Sequence, residues 1–310
     1  MIAPLTIAAR DEERSIGACL DSVLAAIAWA QARLPVTIEP LVVLDDCTDG
    51  TERAVRARGV PCVSSTGGKV EAQRRGLRPG DAAIFTDADI VLERETLAAM
   101  LNLLLARPEV QVVSPPLVPL PPRRRGRLAH AVHVYNCNRG FSSQRTWFNG
   151  RCFALRRWAI PTPAELAPRV ARLPHDAFYR FDEGLRVDDV HLSRQLAASH
   201  GASAFAETAV GRVHYRAPET LRGMYRYYRR LRRELERESL LFPELEPAHR
   251  RLGRRRADLL ASASPGERLA YAEFQGWLLL CRVGYRVDRF VQRRLRLRRN
   301  AWPAIAETKQ

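Results

Sequence analysis

Short apolar runs and longer amphipathic stretches take turns along the first 114 residues. Runs at 5–9, 41–44, 60–64, 82–86 and 110–113 read as strands of a covered sheet. After the first run, Ile16, Leu20, Val23, Leu24 and Ile27 recur at helical spacing and share one face, in a segment closed by Pro35. Further helices are predicted from the 45–51 turn to about residue 58, over 69–76 behind the Gly67-Gly68 turn, and over 93–106. Strands separated by helices predict a mostly parallel α/β sheet flanked by helices, with ligands at the carboxyl ends of the strands.

The second half is less regular. Residues 115–126 hold five prolines and the run Arg123-Arg124-Arg125, and are expected to form a mobile loop. Residues 146–156 mix helix and strand signals, 161–174 are Pro-rich, 187–200 read as a helix ended by Gly201, and 210–215 as a strand. After Pro218 comes a strongly basic helix, 219–238, then helical stretches at 248–261 and 266–299. The expected organisation is one α/β domain over 1–217, in halves 1–114 and 115–217, with a basic helical extension over 218–310.

Composition narrows the class. Hydrophobic residues make up 46% and charged residues 27%, which excludes a disordered or collagen-like chain. The net charge of +16 is almost all arginine, since Lys69 and Lys309 are the only lysines. Compositional bias contributes to such a skew, so the placement of charge carries more than its total. Six cysteines without a C-x-x-C pair argue against a zinc cluster or redox motif. With no secretory pattern at the start and no apolar run long enough to span a bilayer, a cytoplasmic protein, at most peripheral to a membrane, is expected.

Three acidic pairs carry candidate chemistry. Asp87-Ala88-Asp89 follows a strand, where residues i and i+2 point the same way. Two such carboxylates suit Mg²⁺ or Mn²⁺, with diphosphate oxygens completing the shell. Asp45-Asp46 closes another strand and can accept from base N–H or ribose hydroxyl groups, or simply serve as a turn and cap. Asp188-Asp189 opens a helix, where the dipole favours the anion; an ionised carboxylate there is a general base or a helix cap.

Several segments, taken in order, resemble one family. Residues 5–16 (L-T-I-A-A-R-D-E-E-R-S-I) resemble the opening I-P-x-x-N-E-E-x-x-I of family 2 glycosyltransferases. Residues 42–51 (V-V-L-D-D-C-T-D-G-T) are similar to their V-V-D-D-x-S-x-D-x-T, and 68–77 (G-K-V-E-A-Q-R-R-G-L) to G-K-x-x-A-x-N-x-G. Residues 85–91 (F-T-D-A-D-I-V) match their D-x-D strand end. Residues 149–156 (N-G-R-C-F-A-L-R) resemble G-x-x-x-A-x-R, and 187–196 E-D-x-x-L-x-x-R-L. The ordered set covers about residues 5–215. Ala8, Asp11 and Asp188 depart from the family's proline, asparagine and glutamate.

The resemblance implies the GT-A fold, with 1–114 as nucleotide-binding half and 115–217 as acceptor-binding half. It implies a metal-dependent glycosyltransferase using a nucleotide-sugar donor, UDP-sugar first and GDP-sugar second, and an unidentified small-molecule, glycan or lipid-linked acceptor. By position, Ala9, Arg10 and Glu12 wrap the nucleotide, Asp45 meets the base, and Lys69 approaches the nucleotide or its phosphates. Asp87 and Asp89 bind ribose and metal, with Asp89 the stronger ligand. Asp189 is the base that deprotonates the acceptor, giving inversion. Some GT-A enzymes retain configuration instead, and then Asp189 is not a base. His214 matches a late histidine that serves as third metal ligand in several GT-A enzymes, or is a hydrogen-bonded histidine at a sheet edge.

The basic helix has two readings. Arg222, Arg226 and Arg229 share a face and are expected to bind phosphate or acceptor, or to touch an anionic membrane surface. Beyond residue 231 the same helix reads as solvated, laced with Glu234, Glu236 and Glu238. The alternative to an enzyme is a basic nucleic-acid- or membrane-surface-binding protein. Tyr225, Tyr227 and Tyr228 form no recognisable RNA-binding motif, so no nucleic acid partner is expected. A Gly-rich phosphate loop, needed by a nucleotidyltransferase or dehydrogenase, is missing after the first strand.

Overall fold

A computed structural model describes residues 1–138, 148–176, 178–181, 184–247, 260, 263–295 and 308. The strands are β1 (Ile2–Ala9), β2 (Thr37–Asp45), β3 (Cys62–Ser65), β4 (Ala83–Asp87), β5 (Ile90–Leu92), β6 (Val112–Ser114), β7 (Leu117–Pro119), β8 (Cys152–Leu155), β9 (Phe205–Glu207) and β10 (Val213–Tyr215). The α-helices are α1 (Ile16–Gln31), α2 (Thr51–Arg56), α3 (Lys69–Gly76), α4 (Thr96–Ala106), α5 (Arg127–Cys137), α6 (Pro163–Val170), α7 (Asp188–His200), α8 (Leu221–Leu241) and α9 (Pro265–Leu295).

Seven strands form one sheet in the order β3-β2-β1-β4-β8-β6-β9. The pairs β3·β2, β2·β1, β1·β4 and β6·β9 are parallel, while β8 runs antiparallel to both its neighbours. The chain leaves β1 toward β2 and β3 on one side and returns with β4 on the other. That reversal opens a crevice at the carboxyl ends of β1 and β4, where ligands bind in such sheets. Leu5, Ile7, Val42 and Ile84 are buried in the sheet, and Ile16, Leu20 and Val23 of α1 join the same core cluster. The predicted alternation of strand and helix in the first half is therefore the observed one.

Residues 115–126 are not all loop. β7 lies there as an edge strand of a second, three-stranded sheet, order β5-β10-β7. Pro119 has no N–H for a ladder, which an edge position tolerates. The Pro-rich 161–174 stretch contains α6, nucleated by a capping box between Thr162 and Glu165. The basic helix begins at Leu221 behind Thr220, whose side chain accepts from Gly223 N, and runs to Leu241. The predicted 248–261 helix falls almost wholly outside the described residues, as does the end of the 266–299 helix beyond Leu295.

The second half of α8 is not solvated. Arg233, Glu234, Arg237 and Glu238 are buried. Arg237 donates to Glu234 at 2.6 Å and to the Gly184 carbonyl at 2.6 Å, and Arg233 donates to Glu234 at 2.9 Å. Glu238 meets the His191 ring of α7 at 2.8 Å. Its buried charges are thus paired and hydrogen-bonded inside the protein, which offsets the cost of taking them out of water. The expectation for Arg229 also fails. Its guanidinium is buried and pairs with Asp288 of α9 at 2.5 Å, so it fastens two helices together.

Candidate active site

Five carboxylates, Asp45, Asp87, Asp89, Asp188 and Asp189, arrive at the crevice from the ends of β2 and β4 and from the start of α7. Asp45 ends β2 and is buried. It accepts from Gly68 N at 2.9 Å. Gly68 has φ +94°, a conformation that favours glycine, and a Cβ there would stand 2.8 Å from Arg186 Nη1. Burial pushes the Asp45 carboxyl up, opposed by the Gly68 amide and by Arg10. Arg10 lies 3.6 Å from Asp45 and 3.8 Å from Asp46, so it closes over the site expected to hold the base. Ala9 ends β1, and its carbonyl accepts from the Cys47 thiol at 3.3 Å. The Glu12 side chain is engaged by the Ser15 hydroxyl and its amide donates to Thr51 at 2.7 Å. Through these bonds Glu12 braces the entry to α1.

Lys69, the first residue of α3, sits at the centre. Its Nζ donates to the Gly150 carbonyl at 2.6 Å and pairs with Asp87 at 2.7 Å and Asp188 at 3.5 Å. Burial works against its charge, but Asp188 and Asp87 outweigh it and hold the ammonium above the ordinary lysine range. Asp188 is buried and also accepts from Gln73 Nε2 at 2.7 Å.

Asp87 ends β4, and its amide donates to the Arg151 carbonyl at 2.7 Å. Asp89 follows two residues later, with its carboxylate 3.8 Å from Arg151 Nη1. Burial raises the Asp89 carboxyl; Arg151 opposes this most, and Asp87 adds to it. The Arg151 guanidinium lies 4.2 Å over the Tyr215 ring, which fixes its plane. Arg230 of α8 is the second cation of this corner. Burial lowers its pKa, and its charge is felt by Arg151, Asp87 and Asp89.

Asp189 Oδ2 accepts from Gly150 N at 3.2 Å. A Cβ at 150 would come within 2.9 Å of the Asp189 carboxyl carbon, so this close approach needs glycine. The expectation that the helix dipole keeps Asp189 ionised is corrected. Burial first, and the neighbouring Asp188 second, push its carboxyl up to about 7, against the pull of Lys69.

His214 is not drawn to the D-x-D pair. It faces Val91 across the β10·β5 ladder, and its Nε2 lies 3.2 Å from Glu93 Oε1. Among the described residues no group of three or more His, Cys, Asp or Glu side chains is gathered closely enough to hold a metal. The protein's own donors at the strand end are the two hard carboxylates of Asp87 and Asp89. Mg²⁺ and Mn²⁺ commonly bind to such a pair with substrate phosphates completing the shell.

Four participants escaped the sequence: Gln73, Gly150, Arg151 and Arg230. Gln73 sits one turn after Lys69, and Gly150 and Arg151 lie inside the N-G-R-C segment, so a signal existed for three of them. Arg230 was one arginine among many, and only the packing of α8 singles it out.

No protein-family profile matches the chain, and no curated protein matches it. Solved structures do. A mannosyltransferase from Pyrobaculum calidifontis, PcManGT, in complex with GDP-Man and Mn²⁺, is 21% identical over 92% of this chain and 87% of its own, with a TM-score of 0.53. A glucosyl-3-phosphoglycerate synthase from Mycobacterium tuberculosis, in complex with Mg²⁺ and UDP, is 19% identical over 76% of this chain and 78% of its own, with a TM-score of 0.48. With the strand order and the acidic strand ends, the likeness to the mannosyltransferase defines the fold class: this chain has the GT-A fold.

Proposed function

We propose that this protein is a metal-dependent glycosyltransferase that moves a sugar from a nucleoside-diphosphate donor to an acceptor hydroxyl, with inversion. The observation that carries the reading is the clustering of carboxylates at the strand ends and the start of α7: Lys69 holds Asp87 and Asp188, Asp89 faces Arg151, Asp189 meets Gly150 and Asp45 meets Gly68. Asp45 would accept an N–H of uracil or guanine. The structurally similar mannosyltransferase was solved with GDP-Man and Mn²⁺, which sets guanine beside uracil as a base to test.

Asp87 and Asp89 would hold Mn²⁺ or Mg²⁺. Their chemistry fits, because two hard oxygens meet there and the Asp89 carboxyl already carries raised proton affinity from crowding and burial. When bound, the ion neutralises charge on the diphosphate. Arg151 and Arg230 add fixed positive charge at the same corner, where the diphosphate needs it. Asp189 takes the acceptor's hydroxyl proton. The acceptor oxygen then forms its bond to the anomeric carbon, and the bond to the diphosphate oxygen breaks with its electron pair leaving on the diphosphate. A carboxyl at about 7 is well matched to this role near neutral pH.

Calorimetric titration with UDP and GDP, each with and without Mn²⁺, tests the proposal beside an Asp89→Ala variant. Metal-dependent binding of one nucleotide, lost in the variant, is expected. Folded protein that binds neither nucleotide would overturn the reading.

A further inference from the structure

Helix α9 is apolar on two sides. Ala270, Tyr271, Phe274, Cys281 and Tyr285 are buried against the rest of the protein. On the opposite side Leu279, Leu280, Val283, Val287 and Phe290 are all exposed, Phe290 at 69%. At 3.6 residues per turn they fall, with Leu269, Ala272 and Gly276, on one arc about 100° wide. Soluble helices put polar residues there, so an apolar stripe from Leu269 to Phe290 on the outer face of a 31-residue helix marks an interaction surface.

The charges beside the stripe select the partner. Arg282, Arg286 and Arg293 lie along one flank, and Arg294 lies within the arc near its end; all four are exposed. Arg293 also pairs with Asp176 at 2.6 Å. The acidic residues nearest on the helix are neutralised by arginines: Asp288 by Arg229, and Glu273, which borders the other flank, by Arg127. An apolar strip bordered by arginines is the pattern of a helix lying in the interface of an anionic bilayer. A second copy packed antiparallel on the same strip would set the arginine flank against itself. No helix among the described residues is long and apolar enough to cross a membrane, so the contact is a surface one.

We infer that α9 docks this protein on anionic phospholipid membranes through Leu279, Leu280, Val283, Val287 and Phe290, with Arg282 and Arg286 engaging the headgroups. The sequence pointed to α8 for such contact. The structure turns much of the α8 charge inward and leaves the α9 face outward. The inference stands independently of the transferase reading.

Co-flotation of the full chain with phosphatidylcholine vesicles, with and without phosphatidylglycerol, tests it. Binding is expected only to the anionic vesicles. It should fall at least about tenfold both in a Val287→Asp/Phe290→Asp variant and in an Arg282→Glu/Arg286→Glu variant. Circular dichroism and thermal melting of each variant should match the parent, since all four positions are exposed. Equal flotation of parent and folded variants would overturn the inference. So would a dimer seen by light scattering that the Val287→Asp/Phe290→Asp change splits while the parent ignores both vesicles.

Discussion

The ammonium of Lys69 stands 2.7 Å from the carboxylate of Asp87, joining the start of α3 to the end of β4 across the crevice. The same nitrogen reaches the Gly150 carbonyl and Asp188. One cation thus serves groups from β4, from the segment before β8 and from α7. It makes the clustering of carboxylates tolerable in the ligand-free protein, and it lies where a diphosphate would compete with Asp87 for it.

Replacing Lys69 with Met should therefore weaken both fold and site. Its side chain is 23% exposed, so solvent screens part of the loss, and a destabilisation of about 2 kcal/mol is expected, between the values for surface and buried pairs. Adding Asp188→Asn should restore part of this, because the uncompensated carboxylate goes with it. Urea unfolding of the two single variants and the double measures the coupling. Additive effects would mean that the contact carries no energy.

How far the sequence foretold this site depended on the kind of signal. Asp45, Asp87 and Asp89 were legible because strand ends and turn residues are local features, and Asp188-Asp189 because a helix start is one too. Of the two settings open for His214, the structure takes the hydrogen-bonded one, and the sequence could not choose because the partner, Glu93, is brought in by packing. A formal charge count treats every arginine of α8 alike. Only the fold distinguishes Arg237, which is buried against Glu234, from Arg222, which is exposed.

Arg230→Ala should act on catalysis. The residue's charge is felt by Asp87 and Asp89, at the corner proposed for the diphosphate. Loss of one such fixed positive group is expected to lower kcat/KM by about 10²-fold, with nucleotide affinity falling too. Arg222→Ala, on the exposed first turn of α8, should leave both within about twofold, in line with ordinary surface changes. Steady-state kinetics of the pair makes the comparison. Equal effects would reduce Arg230 to bulk charge.

Arg237→Met should act on stability. Its guanidinium is completely buried and bonds Glu234 and the Gly184 carbonyl. Removing one partner of a buried charge network typically costs about 3–5 kcal/mol. Thermal denaturation should place this variant well below the parent. A melting point within a degree of the parent would return α8 to the solvated-helix reading.

Asp189 links stability to activity through pH. Its carboxyl is raised to about 7 in the fold, against about 3.9 in an unfolded chain. The folded state therefore binds this proton more tightly, and the stability gained is fully present below about pH 4 and lost as pH rises through about 7. In metal-free protein, Asp189→Asn removes that loss. Its unfolding free energy relative to the parent should grow between pH 4 and pH 8, by ~2 kcal/mol once solvent screening of this half-buried group is allowed for. Over the same range the parent's kcat/KM should climb with ionisation of Asp189, while the variant's stays flat, so that the gap opens with pH to at least about 10²-fold at pH 8. Guanidinium unfolding at several pH values, beside a pH–rate profile, reads both quantities. A stability difference that does not change with pH would mean that Asp189 is ionised across the range, and the helix dipole would then outweigh burial and Asp188.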